Sequence, residues 1–244
     1  MKKLVALAVV SAFAAPIFAA DITISGDQEF SYVDADGATS TAIDGDFNIK
    51  ASTATANGLK VSADINISDE AGDDGSNSLT IAGPFGSLDL GDTSSAADAF
   101  DDRTDYSLVT GVGTTAPDAA IGYTLPSMIP NLSVYLSTGA DTNEDGEAHT
   151  GIALQYKAGP VSVAYGQNQN DDESKITYVG ATATFAGVAV SVETTEDNAT
   201  GAKAEERNLG VKYSMGDLTL FMATQETQTN DVVGEDVTAF GLHY

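Results

Sequence analysis

The side chains able to do chemistry in this chain are almost all carboxylates. Asp98, Asp101, Asp102 and Asp105, with Arg103 among them, crowd a polar stretch from Ser94 to Thr115. Asp44, Asp46, Lys50, Lys60 and Asp64 form a second group, spaced at even intervals. Asp141, Asn143 and Asp145 follow the pattern D-x-N-x-D-G, the opening of a calcium loop. A full EF-hand loop needs Glu at its twelfth position, which here is Ile152, and it needs flanking helices. The fitting expectation is an outer turn that holds Ca²⁺ loosely, or a plain solvated turn. Acids interspersed with a few bases attract and steer ions rather than break bonds. Catalysis finds no footing, because a hydrolase needs a nucleophile with a positioned His. Only His149 and His243 are present, Cys is absent, and no G-x-S-x-G motif occurs. Neither an enzymatic activity nor a resident cofactor is expected.

The charge balance narrows the partners. The 244 residues include 10 Lys+Arg and 36 Asp+Glu, a formal charge of −26. Without Lys2 and Lys3 the remainder keeps 8 basic and all 36 acidic residues, or −28. Nucleic acid is excluded as a partner, since phosphate binding needs clustered Lys and Arg. With 42% hydrophobic and only 19% charged residues, the chain is not a disordered acidic tail.

The elements that position these acids follow an N-terminal leader. Residues 1–20 have a basic start at Lys2 and Lys3, an apolar stretch from Leu4 to Ala15, Pro16, and small residues at Ala19 and Ala20. That is the pattern of a secretory signal peptide, too short to serve as a membrane anchor helix. Residues 21–244 are then one exported domain.

Beyond Asp21 the apolar period is two. Leu59, Val61, Ala63, Ile65 and Ile67 alternate with Lys60, Ser62, Asp64, Asn66 and Ser68. Ile152, Leu154 and Tyr156 alternate with Ala153, Gln155 and Lys157, and Val188, Val190 and Val192 repeat the pattern. Such alternation marks strands with one apolar face. Fourteen strands are predicted, beginning near residues 22, 41, 58, 77, 87, 117, 131, 148, 160, 174, 187, 206, 217 and 235. Their connections are alternately short and long, the long ones including 34–40, 94–115, 139–149, 195–206 and 226–235. Tight turns on one side and longer loops on the other are the mark of an up-and-down barrel in an outer membrane. A soluble sandwich would want a dry core at native density, whereas the polar face here carries Asp, Asn, Lys, Ser and Gly. Strand ten presents no clean face, since Ile176 and Tyr178 compete with Val179, Ala181 and Phe185. Phe221 falls on the polar side of strand thirteen.

The chain ends within a strand, with Phe240, Leu242 and Tyr244 on one face. This ending resembles the C-terminal assembly signal of outer-membrane barrels. Pro84-Phe85-Gly86-Ser87-Leu88-Asp89-Leu90-Gly91 is similar to the Phe-Gly turn and following strand of the general bacterial porins. Ile121-Gly122-Tyr123-Thr124-Leu125-Pro126 resembles their Tyr-Thr-x-Pro strand end. The long acidic connection between these motifs stands where that family's inward-folded third loop lies. The chain departs from the family in counting fourteen strands where sixteen are common, and in Asp92 after Gly91 where Arg is frequent.

The resemblance implies a closed antiparallel transmembrane β-barrel in the outer membrane of a Gram-negative bacterium. It implies a passive channel for small hydrophilic solutes and ions, a homotrimer, contact with lipids and lipopolysaccharide, and delivery by the barrel-assembly machinery. Asp98, Asp101, Asp102, Arg103 and Asp105 would then line a constriction. Asp44, Asp46, Lys50, Lys60 and Asp64 would line the wall, with Lys50 and Lys60 as a small basic patch. The acid excess would make the lumen prefer cations. Two alternatives stand beside this: a secreted or surface β-protein for adhesion without a pore, and a barrel with a closed lumen.

Overall fold

The computed structural model describes residues 21–35, 38–68, 77–100, 119–139, 148–170, 174–199, 202–216, 218–230 and 232–243, with 27–46 as backbone only. The chain divides into two compact units, 1–92 and 93–244. The first carries β1 (Asp21–Ala35), β2 (Ala38–Ala54), β3 (Lys60–Ser68), β4 (Asn77–Gly83) and β5 (Gly86–Thr93). The second carries β6 (Ala119–Thr124), β7 (Leu132–Gly139), β8 (His149–Ala158), β9 (Val161–Asn170) and β10 (Lys175–Phe185). It continues with β11 (Val188–Ala199), β12 (Ala202–Met215), β13 (Leu218–Thr229) and β14 (Val232–His243). Each of the fourteen begins within four residues of its predicted start. In each unit sequential strands pair antiparallel, an up-and-down order that short hairpins can build.

Register keeps the alternating faces aligned across neighbours. Ile49 pairs with Ile24 and Ile65, and Ala63 with Leu79. In the second unit Leu136 pairs with Ile152, Leu154 with Tyr165, and Val190 with Val211. In each unit these apolar side chains are exposed or half-buried and form a face rather than a core. A one-residue slip on any strand would move its apolar set to the polar face, so burial of one face in an apolar medium fixes the register.

Strand ten is resolved by its neighbours. Tyr178 pairs with Gly166 and Val179 with Tyr165, so Ile176 and Tyr178 join the polar face, where both are buried. Val179 and Phe185 lie on the apolar face, 51% and 80% exposed. Phe221 does lie on the polar side, opposite Gly241, whose missing side chain leaves the space the ring fills.

Three of the expected long loops are strand instead. Pairing runs to Ala35↔Ala38, Ala199↔Ala202 and Thr229↔Val232. The sequence of these three stretches has no apolar alternation, which hides the strand period but leaves the backbone ladder intact. Above Leu209, β11 and β12 carry an ionic cluster in place of apolar residues. Lys203 meets Glu196 at 3.0 Å and Arg207 meets Glu205 at 2.7 Å.

Candidate functional site

The chain leaving β5 lies down on the polar face of β7, β8 and β9. The Ala96 amide donates to Ser137 Oγ at 2.8 Å, and the Ala97 amide donates to Asn168 Oδ1 at 3.2 Å. The Tyr135 hydroxyl donates to the Ser94 carbonyl at 2.7 Å and lies 3.1 Å from the Thr93 hydroxyl. Ser95, Ala96 and Ala97 are buried, and Ala96 packs with Tyr135 and Ala153. Phe100 meets the Tyr135 ring edge-on, with centroids 6.4 Å apart.

Close approach requires small residues beneath. A side chain at Gly166 would strike the Ala96 carbonyl and Ala97, and one at Gly151 would strike Ala96 Cβ and the Asn168 and Ser137 side chains. Gly151 and Ala153 on β8, with Gly166 on β9, thus form the bed of the segment. Sequence reasoning missed this bed and its anchors. The signal was there, as small uncharged residues at alternate positions of adjacent strands.

In the first unit the register stacks polar residues in two transverse rows. Thr23, Lys50, Asp64 and Ser78 form one, and Asp21, Ser52, Ser62 and Thr80 the other. Lys50 Nζ lies 2.9 Å from Asp64 Oδ2. The Thr80 hydroxyl donates to Asp89 Oδ1 at 2.6 Å, carrying the second row on to β5. Together the rows line a concavity of about 360 Å³.

The family model for Gram-negative porins matches residues 6–244. The chain belongs to the Gram-negative porin family. No curated protein sequence matches it. Its fold is shared with several solved porins. One, refined at 1.8 Å, is 20% identical with a TM-score of 0.66, and the match covers 91% of this chain and 88% of that one. An anion-selective porin from Comamonas acidovorans is 17% identical at a TM-score of 0.66, covering 92% and 84%. OmpT, an outer membrane protein of Vibrio cholerae, is 15% identical at 0.64, covering 93% and 83%.

This porin therefore has the expected fold class and resides in the outer membrane of a Gram-negative bacterium. The reading as an adhesion protein without a pore gives way to a family of channels. In a porin barrel one strand face meets lipid and the other the lumen. The apolar face of each unit, with Ile65 in the first and Leu154 and Val190 in the second, is the lipid face, and in the second unit the segment 94–100 lies on the opposite, lumen face.

Of the predicted constriction residues, Asp98 is exposed, at a turn where its amide donates to the Ser95 carbonyl at 3.1 Å. Asp101, Asp102, Arg103 and Asp105 lie outside the described residues. So do Asp141, Asn143 and Asp145, Tyr244, and the leader at 1–20. Asp44 and Asp46 sit in β2, paired with Glu29 and Asp27 at the same alternate positions as Lys50. Lys50 and Asp64 come together as cross-strand partners. The basic patch expected of Lys50 and Lys60 does not form, because Lys50 stands opposite Asp64 while Lys60 stands opposite Ala54, four positions further along the pairing. Phe240 and Leu242 share the lipid face, 69% and 64% exposed. On the polar face of the first unit Asp21, Asp64 and Asp89 accompany Lys50 and Lys60, and on that of the second Glu193, Asp197 and Glu206 accompany Lys157 and Lys212, an excess of acid in each among the described residues.

Proposed function

We propose that this porin is a passive, cation-preferring aqueous channel for small hydrophilic solutes and ions. Closed barrels of about eight strands are filled by their own side chains, and those of about sixteen enclose water. Fourteen strands leave a lumen that the third connection can narrow without filling. The observation that carries the reading is the docking of Ser94–Phe100 on the lumen face, held by the Ala96–Ser137 and Ala97–Asn168 hydrogen bonds. That docking supports reading Asp98 and the acids that follow it in the sequence as constriction residues. A narrow, low-dielectric passage of negative sign raises local cation concentration and repels anions.

The leader at 1–20 directs export and is removed, and the barrel-assembly machinery reads the ending at Phe240, Leu242 and Tyr244. The mature chains associate as a homotrimer in contact with lipopolysaccharide. The test is a planar bilayer under a KCl gradient. A reversal potential of the sign for K⁺ supports the reading, and the sign for Cl⁻ overturns it.

A further inference from the structure

Simple cation attraction does not account for the paired rows on β1–β4. The first row sets one ammonium, Lys50, against one carboxylate, Asp64, with a hydroxyl at each end in Thr23 and Ser78. The second sets Asp21 beside the hydroxyls of Ser52, Ser62 and Thr80. Neighbouring strands are about 4.8 Å apart, and positions two residues along a strand are about 6.6 Å apart. Both rows are thus within reach of one small solute in a concavity of about 360 Å³. Lys50 is 62% and Asp64 39% exposed, so water screens their ion pair and both groups stay open to solutes.

We propose that this concavity is a binding station for small zwitterions, the α-amino acids being the simplest class. The proposal rests on the porin reading, since it needs this face to line the lumen. An ammonium has three donors, and Asp64 engages one of those on Lys50. The solute carboxylate takes another, the solute ammonium goes to Asp21, and the Ser52 and Ser62 hydroxyls bridge the two. The mixed charge discriminates by repulsion as well as attraction. Lys50 and the α-ammonium that leader removal leaves on Asp21 disfavour a bare cation, while the Asp21 and Asp64 carboxylates disfavour a bare anion. None of the described lining residues is aromatic, so they offer a sugar ring no stacking surface.

The test uses the full-length mature porin in planar bilayers, with glycine as probe and erythritol as neutral control. Glycine should lower the KCl conductance along a saturating curve, and erythritol should act only through viscosity. Lys50→Met and Asp21→Asn should each weaken the glycine effect about tenfold or more, the loss expected for a charge-assisted hydrogen bond. Lys50→Arg, which keeps the charge, should retain most of it. If channels conduct but glycine and erythritol act alike, or Lys50→Met blocks as wild type does, the proposal is overturned and the porin reading stands. If no variant and no wild type conducts, both fall.

Discussion

Ser137 on β7 accepts the amide hydrogen of Ala96 at 2.8 Å, tying the first residues of a long acidic connection to a strand 41 positions away. With Asn168 holding the next amide, two buried backbone donors that would otherwise be orphaned find partners on the lumen wall.

Removing either acceptor leaves a buried N–H unpaired, which costs about 1–3 kcal/mol. Ser137→Ala and Asn168→Ala should therefore loosen the segment without unfolding the barrel. Hydrogen exchange across residues 94–100 should speed up about tenfold or more in each variant. Gly166→Val should do the same by displacing the Ala96 carbonyl. Unchanged protection in all three would mean the segment is held by something else.

Charge on the lipid face should be expensive. Leu154→Arg places a cation on the apolar side of β8, at a cost of about 2–4 kcal/mol near the bilayer midplane. Ser62→Arg, on the lumen side, should cost far less. Urea titration of protein folded into vesicles measures both. Equal losses would contradict the assignment of faces.

The acids of the third connection should set ion preference. Changing Asp98, Asp101, Asp102 and Asp105 together to Asn should move the reversal potential under a KCl gradient toward zero while channels remain open. A reversal potential that does not move would place these residues away from the ion path.

At the polar end of β11, Lys203 and Asn198 hydrogen-bond the Glu196 carboxylate and hold its pKa below the ordinary glutamate value. The folded value is the depressed one, so this contact stabilises the hairpin at neutral pH. The stabilisation is lost as pH falls through the folded pKa. In a ¹³C titration of the micelle-bound protein, Lys203→Gln should raise the Glu196 midpoint. An unchanged midpoint would show that the lysine contact does not hold the carboxyl down.

Strand number, order and facing were readable wherever the apolar period of two runs clean, as in Leu59–Ile67 and Ile152–Tyr156. The period fails for two physical reasons. Beyond the apolar band both faces are polar, so Thr195–Glu206 reads as a loop although Glu196 and Glu205 are ladder partners. On β10 the segment lacks a consistent face of its own, and only pairing with Gly166 shows that Tyr178 faces the lumen. Of the site, the even-numbered polar residues of β2 and β3 were visible as a set. That Lys50 meets Asp64 rather than sharing a patch with Lys60 depends on hairpin register, which no local pattern encodes. The bed of Gly151, Ala153 and Gly166 was not legible because small residues carry no chemistry until something packs on them.

The central claim is an open, water-filled lumen, and single-channel recording of the purified protein in a planar bilayer addresses it directly. The account predicts discrete, long-lived conductance steps in KCl, whose size scales with salt concentration. A folded barrel that inserts, shifts its gel migration on heating and yet passes no current would contradict it.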